Sequence, residues 1–189
     1  MGAVAFVPLR LPAVVAVLLV AGCGARDDVR VSAPPGYRVE RVVDFGFAVP
    51  PAWRRAEEKD EQGRPLTTVR GPALPSGVPD GVAHAQRYAD YRQGFGTALD
   101  QFRDLSRLNG YRLTVDRETR VGGAVRAHRF EASYELSNDR GVPTAFRLGG
   151  VYALTGDGTL VEFVLRAPQQ GAAAARLPLI LDSLRLAER

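Results

Sequence analysis

Several segments of the chain alternate between apolar and polar residues with the period of two that is typical of a β-strand. In the segment 111–120, Tyr111, Leu113 and Val115 alternate with polar and charged residues. The segment 125–136 alternates in the same way, and its apolar side consists of Phe130, Ala132, Tyr134 and Leu136. Both patterns predict strands with one buried face.

A third segment, 159–167, is apolar on both sides. Its apolar residues are Val161, Phe163 and Leu165 on one side and Leu160 and Val164 on the other. This pattern predicts a central strand that is covered on both faces. The preceding Gly156-Asp157-Gly158 is typical of a tight hairpin turn, so the segment before it is expected to pair with this strand.

Two shorter segments, 45–53 (FGFAVPPAW) and 65–71 (PLTTVRG), are expected to form a shorter pair. The charged segment EEKDEQG, residues 57–63, would join them. The run from Glu57 to Glu61 is interpreted as a charged hairpin loop that discourages pairing with another sheet edge. The alternative interpretation is a docking spot for a protein.

Two segments have helical spacing. In 97–110, Thr97 is placed as the N-terminal cap, Asp100 follows three residues later, and Gly110 suits the C-terminal end. The predicted apolar strip of this helix is Leu99, Phe102, Leu105 and Leu108. A second helix is predicted in 172–186, where Pro178 either kinks it or opens its second half.

These elements predict an α+β fold, with a mainly antiparallel sheet of about six to eight strands packed by two helices. The N-terminal region is expected to lie outside this fold. Arg10 precedes an apolar run, Leu11 to Gly22, that would rise only about 18 Å as a helix, well short of a hydrocarbon core of about 30 Å. Such a run is typical of a secretion signal.

Cys23, the only cysteine, follows this run directly. The sequence Val20-Ala21-Gly22-Cys23 resembles the lipobox of bacterial lipoproteins. The resemblance implies signal cleavage after Gly22 and diacylation of Cys23. In the alternative interpretation Cys23 is a small apolar residue of a signal-anchor helix. Separately, a translation start near Val7 would leave a more compact signal peptide.

The predicted organisation is therefore a signal peptide at 1–22, a lipidated cysteine and flexible tether at 23–36, and a single domain at 37–189. The predicted location is the extracytoplasmic face of the cell membrane, with the lipid as anchor. The chain has 25 lysines and arginines against 21 acidic residues, and Lys59 is the only lysine. The arginines are spread along the chain rather than clustered, so nucleic acid is not expected as a partner. The favoured interpretation is high-GC codon usage on a solvated surface, and weak attraction to anionic headgroups is the alternative.

The order of elements also resembles the Mog1/PsbP-like fold, and in particular the actinobacterial LpqN/LpqT-type lipoproteins. The resemblance spans Tyr37 to Leu186, and its markers are Val49-Pro50, Trp53 and Asp182-Ser183-Leu184. It implies a non-enzymatic protein of the cell envelope that acts by binding. The family has no common catalytic residues, so it implies no catalytic residue here.

Candidate chemistry is sparse. His84 and His128 are the only histidines, and no serine motif or metal-ligand spacing accompanies them, so neither a catalytic set, a metal nor a cofactor is predicted. Trp53 and Tyr88 are the candidate ligand-binding residues, as aromatic walls of a groove. Tyr91 is the third aromatic considered, but strand alternation places it on the face opposite Tyr88.

Three functions remain open. The first is a lipid-anchored module that docks an envelope protein. The second is a carrier of a lipid or other small apolar ligand in a cavity between sheet and helix. The third is an envelope hydrolase, which requires His84 or His128 to lie within hydrogen-bond distance of a serine.

Overall fold

The computed structural model describes residues 29–137 and 141–187. These residues form ten strands and two helices, in agreement with the predicted α+β class. The strands are β1 (Arg38–Val42), β2 (Phe45–Val49), β3 (Arg54–Lys59), β4 (Pro65–Arg70), β5 (Val82–Tyr88), β6 (Arg112–Thr119), β7 (Arg126–Ser137), β8 (Pro143–Leu154), β9 (Leu160–Pro168) and β10 (Arg185–Leu186). The helices are α1 (Phe95–Leu108) and α2 (Ala172–Asp182).

Seven strands form one large antiparallel sheet in the order β3-β4-β5-β9-β8-β7-β6. Strand β9 lies at its centre, as the apolar pattern on both sides of this segment predicts. The turn at 156–158 joins β8 to β9, and the two strands pair from Leu154↔Leu160 onwards. The predicted hairpin and the predicted sheet are both confirmed.

The small sheet, in the order β1-β2-β10, packs with α2 on one face of the large sheet, here called the closed face. Phe47 of β2 contacts Phe163 of β9, with ring centroids 4.4 Å apart. Trp53 is buried in the same core, against the backbone of Gly71 and Gly81. Apolar side chains therefore fill this side of the molecule.

Helix α2 is continuous through Pro178, so the proline does not open a separate second half, and the helix ends at Asp182 rather than at Leu186. A proline in a helix leaves the carbonyl four residues earlier without its usual amide donor. Here that carbonyl belongs to Ala174, and it accepts a hydrogen bond from Arg147 Nη1 at 3.1 Å. The guanidinium of a strand residue thus replaces the missing donor. At the end of α2, Ser183 Oγ accepts a hydrogen bond from Ala48 N at 2.8 Å and ties β2 to the helix.

Helix α1 packs on the opposite face, here called the open face, where Phe102 stacks on Phe130 at 4.1 Å. Two details of its prediction are wrong. Gly94, not Thr97, is the residue at its N-terminal cap, so the helix begins earlier than predicted. Leu105 and Leu108 are exposed, because the buried side of the helix follows Phe95, Ala98, Leu99, Phe102 and Ser106 instead.

The predicted pairing of the two short segments is also wrong. Strand β2 pairs with β1 and β10, whereas β4 pairs with β3, which contains the acidic residues Glu57 and Glu58. Much of the charged run is thus an edge strand, and the hairpin turn lies at 60–64. Leu136, predicted to face inwards on β7, is 48% exposed near the end of that strand.

Part of the predicted tether packs on the domain. Val29 is buried, and Val31 Cγ2 lies close to Gly46 of β2. Cys23 and Gly22 lie outside the described residues. Among the residues that are described, no helix has the length and apolar character needed to cross a membrane.

Candidate functional site

Helix α1 covers only one half of the open face. Its aromatic contacts are to β7 and β8, through Phe130 and Tyr152. On the other half, strand register brings side chains of β3, β4, β5 and β9 to the same side. This surface is here called the polar half-face, and Leu66, Val82 and Val164 also lie on it. Its polar side chains are those of Glu58, Thr68, Arg70, His84, Gln86, Tyr88, Glu162 and Arg166, with Asp60 and Arg64 at its edge.

Tyr88 lies at the centre of one hydrogen-bond network on this surface. Its hydroxyl lies 2.9 Å from Gln86 Oε1 and 3.1 Å from Glu162 Oε2. Both neighbours are acceptors when Glu162 is ionised, and the hydroxyl has a single proton to donate. A protonated Glu162 can donate to Tyr88 while Tyr88 donates to Gln86, so protonation satisfies both contacts.

Burial raises the pKa of Glu162, although the hydrogen bond from Tyr88 opposes this shift. Burial also raises the pKa of Tyr88, and the neighbouring Glu162 charge adds to the effect. The phenol therefore stays protonated at neutral pH and acts as a hydrogen-bond donor. Carboxyl groups with such perturbed titration are concentrated at functional sites.

The edge of the network is fixed by Asp60, which lies in the β3–β4 turn. Burial favours its neutral form, but hydrogen bonds from the Arg64 amide, the Gln86 side chain and the Arg64 guanidinium lower its pKa to about 2. Gln86 Nε2 donates to Asp60 Oδ2 at 2.5 Å, and Arg64 Nε donates to the same oxygen at 2.6 Å. The Arg64 guanidinium also lies over the Tyr88 ring, 4.7 Å from its centroid, in a cation–π contact.

A second network occupies the part of the polar half-face nearer to β3. Glu58 accepts hydrogen bonds from Thr68 Oγ1 at 2.9 Å and from Arg70 Nη2 at 2.8 Å. His84 Nδ1 lies 3.4 Å from Thr68 Oγ1. Burial, and next the charge of Arg166, lower the pKa of His84, so the imidazole is neutral at neutral pH.

A small cavity borders this surface, and two larger ones lie elsewhere on the molecule. One of about 230 Å³ lies where Val82, Phe146 and Arg166 meet. Pockets for small ligands usually measure about 300–1,000 Å³ and are mostly apolar. A cavity of about 400 Å³ lies on the closed face near the end of α2, and another of about 540 Å³ opens beside Arg112 and Gln169. Arg64, Arg70 and Arg166 are exposed on the polar half-face, so this surface is open to solvent.

The structure does not bring the two predicted ligand-binding residues together. Trp53 is buried in the core of the closed face, and Tyr88 packs at the edge of the core of the open face. The placement of Tyr91 opposite Tyr88 is wrong. Strand β5 ends at Tyr88, and the chain reverses through Asp90, which has a φ of 51°. Tyr91 then packs edge-on against Tyr88, with ring centroids 6.2 Å apart.

The two histidines have partners other than serine in the described part of the chain. His128 Nε2 lies 2.6 Å from Asp116 Oδ1, beneath α1. Asp116 in turn accepts two hydrogen bonds from Arg103 of the helix, at 2.8 and 2.9 Å. His84 has the contact to Thr68 described above. Residues 29–137 and 141–187 contain no group of three or more His, Cys, Asp and Glu side chains placed to hold a metal ion.

Sequence reasoning missed the network around Tyr88, although two signals were present. Ala83 and Ala85 alternate with His84, Gln86 and Tyr88, which marks a strand with one polar face. Glu162 also interrupts an otherwise apolar central strand. Because buried acidic residues usually have hydrogen-bond partners, this position indicated a polar neighbour on an adjacent strand.

The two sheets, with a helix on each side, define the class of protein: an α+β sandwich with the Mog1/PsbP-like fold, as the sequence resemblance predicts. One similar solved structure is the Ran-binding protein Mog1p of Saccharomyces cerevisiae, with 11% sequence identity and a TM-score of 0.50. The match covers 80% of this chain and 96% of that chain. A mutant of protein Mog1 matches with 12% identity, a TM-score of 0.49 and the same coverage.

Another similar structure is LpqN, described as involved in cell envelope biogenesis of Mycobacterium tuberculosis. It has 14% identity and a TM-score of 0.42, and the match covers 84% of this chain and 83% of that chain. No protein-family model and no curated protein sequence matches the chain. The likeness to Mog1p establishes the fold alone, and the function has to be argued from this chain's own residues.

Proposed function

We propose that the chain is a lipid-anchored protein of the cell envelope that docks an envelope protein on its polar half-face, without catalysing a reaction. The observation that carries this proposal is the open, charged surface built around the Arg64–Tyr88 contact. The proposed compartment and anchor rest on the sequence alone, through the lipobox-like segment that ends at Cys23. No cofactor or metal is part of the proposal.

The chemistry of the surface favours a protein as the ligand. Arginine and tyrosine are enriched among the residues that dominate binding energy at protein interfaces. Arg64 and Arg70 expose about half of their side chains, 46% and 53%, while their acidic partners hold them in place. Such positioned side chains lose little conformational freedom on binding, which favours affinity.

A second candidate, a carrier for a lipid or another apolar ligand, is favoured by one observation. The cavity of about 400 Å³ lies between the large sheet and the end of α2. Val151, Leu181 and Leu184 contribute apolar walls, and Arg120 and Arg185 line the same space. This size suits a small ligand, although the polar lining suits only one that also has a polar group.

In-cell photo-cross-linking followed by mass spectrometry distinguishes these functions. A photo-reactive amino acid is placed at Arg70 on the polar half-face, at Arg107 on the outer side of α1, or at Val121 in the cavity wall. Arg107 is a matched control, since it is also an exposed arginine paired with an acidic residue. We expect a discrete envelope protein to be captured from position 70 and not from position 107.

Two further variants complete this test. Arg64→Ala should reduce capture from position 70 by roughly fivefold or more, the loss expected for a residue that dominates an interface. Cys23→Ala should abolish capture if the anchor brings the two proteins together. Equal capture from positions 70 and 107 contradicts docking on the polar half-face, and lipid adducts from position 121 alone would establish the carrier instead.

A further inference from the structure

One end of the large sheet is a connected surface, here called the entry end. It consists of the turn at 43–44, the segment 120–125, the turn at 155–158 and the segment 185–187. The hydrogen bonds that join these parts are Ala187 N to Asp44 O, Leu186 N to Gly122 O and Val125 N to Leu154 O, all 2.7–2.8 Å. Separate parts of the chain therefore form one surface at this end.

The N-terminal part of the described chain also lies towards the entry end. Val31 Cγ2 packs against Gly46, so closely that a Cβ atom on Gly46 would lie 2.8 Å from it. Gly46 pairs with Arg185 of the entry end. After Val31 the chain turns, with Tyr37 N donating to Pro34 O at 3.1 Å, and returns as β1.

Only a short stretch of chain separates this packed segment from Cys23. Val29 is already buried, and the six residue-to-residue steps from Cys23 to Val29 span at most about 21 Å when fully extended. Strands β7 and β8 have 12 residues each and therefore rise about 40 Å. A lipid on Cys23 would hold the entry end near the bilayer, and the opposite end of the sheet would point away from it.

The entry end exposes apolar side chains. Val43 is 92% exposed at the tip of the β1–β2 turn, and Val125 is 64% exposed. Val43 also has a φ of 38°, a left-handed conformation that is unfavourable for a β-branched residue. Strain of this kind persists where the surrounding structure enforces it, and it is concentrated at functional positions. Leu108 is also exposed at the opposite end, so exposure alone does not select the membrane-facing end.

Two arginines at the entry end suit an anionic surface. Arg120 and Arg126 are exposed there, and the Arg126 guanidinium also lies over the Phe95 ring, 4.8 Å from its centroid. Arg87 offsets Asp44, with Nε 2.8 Å from Oδ2. Asp90, Glu118 and Asp157 are acidic residues at the same end, so the attraction is local to the two arginines. Arginines near a membrane are attracted to anionic lipid headgroups.

We propose that the entry end lies on an anionic membrane surface, with Val43 and Val125 in the headgroup layer and Arg120 and Arg126 against lipid phosphates. This inference rests on the anchor in the proposed function and adds the orientation of the domain. The strands would then run away from the bilayer. The polar half-face would point sideways along it, towards a neighbouring protein in the same membrane.

The absence of a second cysteine provides a direct test. A polarity-sensitive fluorophore is attached through Val43→Cys, Val125→Cys or Leu108→Cys in the full chain purified from membranes. The protein is reconstituted in phosphatidylcholine vesicles with or without phosphatidylglycerol. We expect a several-fold rise in emission at positions 43 and 125 with the anionic lipid, and no change at the matched exposed position 108.

The outcomes separate this inference from the proposed anchor. An acylated Cys23 has no free thiol, so labelling of the chain without an added cysteine would contradict the anchor itself. If that chain stays unlabelled and all three labelled variants float with the vesicles, but positions 43 and 125 respond no more than position 108, the anchor stands and the proposed orientation is wrong.

A matched pair at the two ends of one strand tests the role of charge. Arg112 is the first residue of β6, Arg120 directly follows its last residue, and both are exposed. Arg120→Gln should weaken the effect of phosphatidylglycerol at position 43, and raised salt should do the same because it screens exposed charges. Arg112→Gln should have no effect. Equal effects of the two variants would contradict specific contact at the entry end.

Discussion

The two faces of the large sheet differ in burial and in polarity. On the closed face, β2 and α2 bury Phe47, Trp53 and Phe163, each at most 1% exposed. On the open face, α1 covers one half, and the other half keeps the polar side chains of Tyr88 and Glu162 partly accessible. The closed face holds the larger of the two buried apolar clusters, while the polar half-face holds paired charges. Stability and recognition should therefore be separable by mutation.

Truncating one aromatic residue on each face should produce the largest difference. Trp53→Ala should lower the free energy of unfolding by about 3–5 kcal/mol, because it leaves a large cavity in the closed core. Tyr88→Ala should lower it by about 1–2 kcal/mol, since that ring is only partly buried. Urea unfolding followed by circular dichroism measures both values. Equal losses would contradict the division between the faces.

Cross-linking capture of the envelope protein should be more sensitive to Tyr88→Ala than to Trp53→Ala. Under conditions where both variants remain folded, Tyr88→Ala should reduce cross-linking from position 70, because the Arg64 guanidinium loses the ring beneath it. Trp53→Ala should leave cross-linking unchanged. If Trp53→Ala reduced it as much, the two functions of the faces would not be separable.

Two adjacent glycines of β8 sharpen the comparison with a smaller change. A Cβ atom on Gly149 would lie 2.5 Å from Leu177 and 2.6 Å from Leu181 of α2, whereas the nearest contact of one on Gly150 is an ordinary 3.5 Å to Val164. Gly149→Ala should therefore cost about 1–3 kcal/mol through overpacking. Gly150→Ala should be neutral, or stabilising by up to about 1 kcal/mol, because alanine restricts the unfolded chain. Thermal unfolding of both variants tests the pair. If Gly150→Ala lost as much stability as Gly149→Ala, tight packing would not be confined to the closed face.

The sequence predicts the large sheet well because its strands are long and periodic. The double-sided apolar pattern around Phe163 correctly identifies the central strand, and the glycines at 156–158 correctly identify the hairpin. Helix α1 is harder to predict, because a strip taken at every third residue drifts around a helix that has 3.6 residues per turn. Leu105 and Leu108 therefore lie progressively further from the side that buries Leu99 and Phe102.

The candidate site could not be predicted because it depends on pairing between distant strands. Tyr88 and Glu162 are 74 positions apart, and Asp60 and Gln86 are 26 apart. Single strands show which residues alternate, but they do not show which strands become neighbours. The reversal at Asp90 that brings Tyr91 back to Tyr88 is also a local backbone event without an apolar signal.

Titration of Glu162 offers a fourth test, with a smaller effect on the polar half-face alone. Its folded-state pKa is raised by burial, so the folded state binds this proton more tightly than the unfolded state does. The contribution to stability is present at pH values below the unfolded pKa of about 4.3 and is lost as the pH rises through the folded pKa. Glu162→Gln should therefore raise the free energy of unfolding at neutral pH by less than about 2 kcal/mol.

The control for this titration is Asp116, the acidic residue beneath α1. Hydrogen bonding and charge from Arg103 lower the pKa of Asp116 to about 2, so its stabilising effect is lost only as the pH falls from about 4 towards 2. Urea unfolding between pH 4 and pH 8 should show a flatter profile for Glu162→Gln than for the parent chain. An unchanged profile would contradict the raised pKa of Glu162.

The smallest expected effect concerns the turn that leads into β2 on the closed face. Val43 adopts a left-handed conformation at φ 38° although it is almost fully exposed, so its side chain contributes strain without burial. Asparagine tolerates this conformation, and Val43→Asn should stabilise the fold by about 1 kcal/mol. If the turn has only a structural role, Val43→Asn should gain this stability without weakening contact with the membrane. If Val43 contacts the membrane, the same substitution should also reduce the emission of a label at position 125 in anionic vesicles. A gain in stability with unchanged emission would show that the strain serves no membrane contact.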